Sequence, residues 1–207
     1  MIKFSCEKVF LQNAIAVTSR AVAQKSSIPA LEGLLIHADQ QLTISGYNMQ
    51  TGIRTNVFAN VVEGGNIVLN ARLFGDIIRR MPDDMITFTA DEKMMVHVSC
   101  GDADFDILGL SAADYPDLPE VEDEYAVSMQ QKVLRSMIEE VAFAVSTNES
   151  RPVHTGALFE IADMSLSMVA VDGFRLAFRR EKLEKLEANV IEWILFFFSE
   201  FAKYPFT

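Results

Sequence analysis

The spacing of apolar and polar positions changes period several times along the 207-residue chain. Residues 7–24 place Val9, Phe10, Ala14, Ile15, Val17, Ala21 and Val22 close to a 3.6-residue repeat, which predicts an amphipathic helix. Ser26, Ser27 and Pro29 then break it. Residues 31–37 (LEGLLIH) read as a strand, 38–41 as a turn and 42–47 as a second strand. Residues 51–62 form a third strand region and 66–69 a short fourth one. A second helix is expected over 71–81, with Leu73, Phe74, Ile77 and Ile78 on one side and Arg72, Arg79 and Arg80 elsewhere, ended by Pro82-Asp83-Asp84. Residues 85–90, 94–100 and 104–108 alternate as half-buried antiparallel strands do.

Residues 111–125 (SAADYPDLPEVEDEY) differ in kind, with two prolines and a dense set of carboxylates. Two readings stand: an extended interdomain linker, or a long surface loop. Beyond them the pattern restarts. A third helix is expected over 127–145, preceded by a strand-like residue or two. Paired strands follow at 156–161 and 165–171, and another at 174–180.

The restart is a repeat. An offset of 123 residues links Leu11 to Leu134, Phe4 to Val127, Ser5 to Ser128, Ile15 to Ile138 and Val22 to Val145. The same offset links Ser27 to Ser150, Pro29 to Pro152, Gly33 to Gly156 and Leu35 to Leu158. One insertion later, Leu42 matches Leu166 and Ile44 matches Met168. One supersecondary unit used twice is expected, with helices packed on antiparallel sheets in an α+β fold. In the second copy, residues 199–204 (SEFAKY) correspond to 75–80 (GDIIRR), so Phe201 and Ala202 replace Ile77 and Ile78, and Lys203 replaces Arg79. Thr207 falls where the last strands of that copy are expected to begin.

Half the residues are hydrophobic, enough for one large core or two modest ones. The net charge of -11 and pI of about 4.7 argue against a bulk polyanion binder, so a nucleic-acid role needs segregated cations. Cys6 and Cys100 sit in strand-like apolar contexts and read as buried reduced thiols. No spacing of Cys and His suggests a metal site. Asp114 and Asp172 are the most motif-like carboxylates, yet no catalytic constellation accompanies them. His37 and His97 lie in strand patterns and read as structural. The N-terminus lacks the regions of a signal peptide, and no run reaches the roughly 18 apolar residues that span a bilayer. A cytoplasmic, non-membrane protein is expected.

Three stretches, SAADYPDLP (111–119), SRPVHTGALFE (150–160) and VAVDGFRL (169–176), occur in this order on the repeating chain. They resemble the bacterial DNA polymerase III β subunit, the sliding-clamp family, and the resemblance covers most of residues 1–186. It implies repeated processivity-fold domains, three per family chain, with two chains closed head to tail into a ring. Sheets then lie outside and helices line the hole. On this basis residues 1–118 are a first clamp domain, 119–126 an acidic linker, and 127–207 an incomplete second domain with an atypical aromatic tail from about 188. The family's strand before its fourth helix is not evident in that tail. The loss of pattern after Glu187 is what a truncated or frameshifted reading frame would produce.

The implied function is a non-catalytic processivity factor that needs no cofactor, encircles double-stranded DNA without sequence preference and tethers the polymerase. The alternative is a fragment that cannot close a ring and retains only self-association or partial partner binding. Cations for DNA are Arg20, Lys25, Arg72, Arg79, Arg80, Lys132 and Arg135, Lys25 aligning with a family DNA-contact position and Asn148 with the polar equivalent in the second domain. The same cations also fit the solvated face of ordinary helices, and Glu7, Glu139 and Glu140 dilute them. The resemblance further implies a cleft for short hydrophobic peptides of the polymerase III catalytic subunit and the clamp loader. Its positions here are His154, Val171, Gly173, Phe174, Arg175 and Leu176, with His154 where the family commonly has leucine. An ordinary hairpin turn with a core leucine fits the Asp172-Gly173 stretch as well. The edge strand around Phe105 and Ile107 corresponds to the family's subunit interface, which implies a homo-oligomer.

Overall fold

A computed structural model describes residues 1–119, 127–183, 185–186 and 193–197. The chain divides into two compact units, Met1–Pro119 and Glu120–Thr207.

The first unit opens with β1 (Ile2–Glu7), whose alternate residues Ile2, Phe4 and Cys6 are buried. It is followed by α1 (Lys8–Thr18), β2 (Gly33–Ala38), β3 (Leu42–Tyr47), β4 (Gly52–Val57), β5 (Asn60–Glu63) and β6 (Gly65–Asn70). The unit continues with α2 (Ala71–Arg80), β7 (Met85–Ala90), β8 (Met95–Cys100) and β9 (Ala103–Leu108). Two antiparallel sheets result, ordered β5-β1-β7-β8-β9 and β4-β3-β2-β6. Both sheets and both helices contribute to one core, centred on Phe4, Phe74 and Phe88. Phe4 stacks on Phe88 at 4.5 Å between centroids, and Phe74 meets Phe88 edge-on at 6.3 Å.

Local chemistry sets the helix ends. Asn70 Oδ1 accepts the Leu73 amide at 3.0 Å and caps α2. Lys8, only 8% exposed, reaches back from the start of α1. Its Nζ donates to Met81 O at 2.6 Å and to Asp83 Oδ1 at 2.7 Å, tying α1 to the end of α2.

The second unit holds β10 (Val127–Ser128), α3 (Gln131–Ala142), β11 (Gly156–Ala162), β12 (Ser165–Val171), β13 (Leu176–Lys182), β14 (Lys185–Leu186) and β15 (Trp193–Phe197). Its sheets, β13-β12-β11-β15 and β10-β14, repeat the order β4-β3-β2-β6 and the pair β1-β5 of the first unit. A smaller core gathers Met137, Val141, Ala157, Leu166, Met168 and Ala170.

Several expectations change. The first helix ends at Thr18, not 24, and a 3-10 turn (Ser19–Ala21) follows. Its buried face is Leu11, Ala14, Ile15 and Thr18, while Val9, Phe10 and Val17 are exposed. Apolar residues on both sides of the helix blur the stripe. Leu73 is likewise exposed on α2. The strand expected over 51–62 turns a corner at Phe58–Ala59, and its halves join different sheets. Residues 110–118 pack on the first unit: Leu110 bridges Val68, Tyr115 is buried, and its hydroxyl donates to Ser45 O at 3.3 Å. Burial raises the Tyr115 phenol to about 12. Residues 120–126 of the expected linker lie outside the described residues, as does the 199–204 correspondence. A strand does occupy the tail: β15 pairs with β11 from Gly156↔Phe197 to Glu160↔Trp193, the place β6 takes beside β2.

Candidate functional site

The β12–β13 turn is built by Asp172. Its Oδ1 accepts the amides of Phe174 and Arg175, both at 2.9 Å, and Gly173 takes φ +92°, a left-handed conformation that suits glycine. The Arg175 guanidinium donates to Asp172 Oδ2 at 2.9 Å. The Phe174 amide, with the two Arg175 donors, lowers the Asp172 carboxyl to about 2. Arg175 also lies over the Phe143 ring, 5.8 Å from its centroid.

This turn pushes apolar side chains into solvent. Phe174 is 98% exposed and Leu176 67%, so Leu176 is not the core leucine of an ordinary hairpin. Val171 and His154 are half-buried, and the backbone of His154 joins Arg151 and Ser146. Phe143 and Val153 are exposed as well and were not singled out from the sequence. The repeat held the signal for Phe143, which the 123-residue offset puts opposite the exposed Arg20, but not for Val153, which falls opposite the buried Ala30.

The candidate DNA-contacting residues are all at the surface. In the first unit, α1 and α2 border an open groove of about 780 Å³. Arg72 and Arg79 line it from α2, and Val22, Ala23 and Gln24, between Arg20 and Lys25 in sequence, line it from the other side. Arg79 pairs with Asp76 at 3.0 Å, so part of the positive charge is offset locally. Arg80 is exposed at the end of α2. In the second unit, Lys132 and Arg135 lie on α3, and Arg135 Nε donates to Glu139 Oε1 at 2.9 Å. The Asn148 side chain is turned inward on its own loop, accepting the Ser150 amide at 3.0 Å.

On the β9 edge, Ile107 is 3% exposed and belongs to the core, so the strand offers its backbone there and not this side chain. Phe105, at 40%, is accessible. The solvent face of β9 carries Asp104, Asp106 and Leu108 instead. His97 of β8 contacts both carboxylates, Nδ1 to Asp106 at 2.9 Å and Nε2 to Asp104 at 3.2 Å. The hydrogen bond with Asp106 is the main cause of its raised pKa. Among the described residues, no group of three or more His, Cys, Asp or Glu could hold a metal ion, and no helix is long and apolar enough to cross a membrane.

Among known proteins, the family described as "DNA polymerase III beta subunit, N-terminal domain" matches residues 2–119, and the corresponding central-domain family matches 128–196. The beta sliding clamp of Halalkalibacterium halodurans is 36% identical over 188 residues, covering 86% of this chain and 49% of that protein. The clamp of Bacillus subtilis is 29% identical over 192 residues, 88% of this chain and 51% of its own. Among solved structures, the Bacillus subtilis sliding clamp superposes with a TM-score of 0.90 at 28% identity, over 98% of this chain and 56% of that one. The DNA polymerase β subunit of Streptococcus pyogenes gives 0.85 at 30%, over 94% and 53%. The chain thus spans about half the length of the relatives it matches.

Proposed function

The chain belongs to the DNA polymerase III β-subunit family, and on that premise we propose that it serves as a DNA sliding clamp, a non-catalytic processivity factor that encircles duplex DNA and tethers the replicative polymerase. The observation that carries this reading is the doubled unit. The sheets β4-β3-β2-β6 and β13-β12-β11-β15, with α1 and α3 at equivalent positions, are one building block used twice. Like segments joined end to end are what a closed ring requires. Residues 1–118 and 127–207 would be the first clamp domain and part of a second, joined by 119–126, in a cytoplasmic homo-oligomer.

A sliding protein must hold phosphates without reading bases, and exposed cations on helices do this. Arg20, Lys25, Arg72, Arg79 and Arg80 take that role in the first unit, and Lys132, Arg135 and Asn148 in the second. The exposed apolar residues Phe174 and Leu176, beside His154, Val171, Gly173 and Arg175, would receive short hydrophobic peptides from the polymerase catalytic subunit and the clamp loader. A second reading, a fragment that binds partners without encircling DNA, is favoured by that same surface, because peptide capture at the β12–β13 turn needs no ring.

The cations are tested by fluorescence anisotropy on a labelled duplex across a salt series. Replacing Arg72, Arg79 and Arg80 with alanine is expected to flatten the slope of log affinity against log salt, by about 0.9 for each phosphate no longer neutralised. A slope identical to that of the unaltered chain would remove α2 from the DNA interface.

A further inference from the structure

The sheets β4-β3-β2-β6 and β13-β12-β11-β15 each turn one face to the helices and one away, and the two outer faces are finished differently. In the first unit that face is covered. Leu110 pairs with Val68 at the β6 edge, Tyr115 and Leu118 pack with Ala30, Leu31, Leu35 and Tyr47, and the Tyr115 hydroxyl donates to Ser45 O. The repeat puts Val153, His154, Leu158, Val169 and Val171 of the second unit at the places of Ala30, Leu31, Leu35, Ser45 and Tyr47. Strand pairing adds Leu176, opposite Val171 as Gly52 is opposite Tyr47. Among the described residues nothing covers this second face: Val153 is 66% exposed and Leu176 67%, and Leu158, Val169 and Val171 belong to no core cluster.

The dipeptide Tyr-Pro occurs twice in the chain, in Ala113-Asp114-Tyr115-Pro116, which lies on the first face, and in Ala202-Lys203-Tyr204-Pro205, outside the described residues. Proline holds the residue before it extended, so both stretches suit a position along a sheet surface. The second stretch sets out from the matching place. β15 runs antiparallel to β11 and ends at Phe197, opposite Gly156, at the end of the sheet where β12 closes with Val171 and β13 opens with Leu176. Tyr204 is seven residues farther on, a reach of up to about 25 Å, and β12 lies two strand intervals from β15, about 10 Å. The central-domain family matches 128–196, so the second stretch lies beyond the pattern shared with that family.

We propose that residues 202–206 lie across the outer face of β11, β12 and β13 as residues 113–118 lie across the first sheet. Tyr204 takes the place of Tyr115: its ring rests against Val153, His154 and Val171, its hydroxyl donates to Val169 O, and Phe206 covers Leu176. The segment then fills, from within the chain, the apolar surface assigned above to partner peptides, and a partner has to displace it. That last step rests on the peptide-docking reading; the placement of the segment does not.

The test is methyl and amide NMR of the full chain against Tyr204→Ser/Phe206→Ser. Loss of the two rings is expected to move the methyl resonances of Val153, Val171 and Leu176 and to leave those of Met137, Leu166 and Met168 in place. Tyr204→Phe, which keeps the ring and serves if the double variant does not fold by circular dichroism, should move the Ala170 amide, whose peptide carries Val169 O. Changes confined to Met137, Leu166 and Met168 would put residues 199–204 on the opposite face, in the position of α2, and no change at any methyl would leave the outer face uncovered; either result overturns the proposal. A labelled peptide carrying Leu-Phe should bind the double variant at least about fivefold more tightly than the unaltered chain, because an occupant tethered in the same chain lowers the competent fraction. Equal affinity for both chains would overturn the displacement step. The expected methyl shifts with no peptide bound by either chain would uphold the placement and overturn the peptide-docking reading instead.

Discussion

The turn between β3 and β4 and the turn between β12 and β13 are built alike, and among the described residues only the first is covered. In the first unit Asn48 Oδ1 accepts the amides of Gln50 and Thr51 at 3.0 and 2.7 Å. In the second, Asp172 Oδ1 accepts those of Phe174 and Arg175. The residue after each is left-handed, Met49 at φ +72° and Gly173 at +92°. The surroundings differ. In the first unit Tyr47 is buried with Tyr115, and Leu118 lies against Gly52, so the segment after β9 covers the start of β4. In the second unit Phe174 stands in solvent. The same backbone becomes a packed corner when a following segment lies on it and an exposed apolar surface when none of the described residues does.

The largest effect should come from a difference two residues before Asn48 and Asp172 in the repeat. A Cβ on Gly46 would stand 2.1 Å from Thr18 O, while the equivalent position in β12 is Ala170, buried without difficulty. Gly46→Ala is expected to cost about 3 kcal/mol in urea unfolding, whereas Ala170→Gly costs about 1 kcal/mol. Equal costs at the two sites would contradict the difference in their packing.

Lys8 comes next, because its counterpart under the offset is the exposed Gln131. Lys8→Met abandons the bonds to Met81 O and Asp83 and should cost about 2 kcal/mol, against a few tenths for Gln131→Met. Thermal denaturation of both variants gives the comparison.

Smaller again is the effect within the turns themselves. Gly173→Ala should cost about 1 kcal/mol because a Cβ disfavours the left-handed region, and Met49→Gly should change stability by less than about 0.5 kcal/mol, strain relief offsetting lost chain stiffness.

The finest difference is chemical. Asp172 has a folded pKa of about 2 against an ordinary 3.8, so its contribution is complete above the ordinary value and lost as pH falls through the folded one. The Phe174 and Arg175 amide resonances should therefore shift with a midpoint near 2. In Asp172→Asn, which copies Asn48, that transition should vanish while the turn persists. A midpoint at the ordinary value would remove the amide bonds from the account.

Much of this organisation was legible in the chain. The 123-residue offset, Pro29 with Pro152 and Gly33 with Gly156 mark the repeated strand entry, and β2 and β11 begin at those glycines. The ion pairs Asp76–Arg79 and Arg135–Glu139, which offset two candidate DNA-binding cations, follow helical spacing that the sequence displays. What escaped depends on tertiary context. Val9 and Phe10 are as apolar as Leu11, and only the packed sheets decide which is buried. Trp193–Phe197 carries no alternation, and its strand state follows from pairing with β11. Ile107 and Phe105 share one face of β9, yet position along the edge buries the first and exposes the second.

Encirclement can be measured most directly on DNA that has no ends. The chain is incubated with nicked circular plasmid, a bacterial clamp loader and ATP, and the complex is isolated by gel filtration in high salt before and after a single restriction cut. A clamp stays on the circle despite the salt and runs off once the DNA is linear, because its linkage is topological and not a sum of phosphate interactions. Equal retention on circular and linear DNA, or dissociation from both in salt, would contradict the clamp reading and leave the partner-binding fragment in its place.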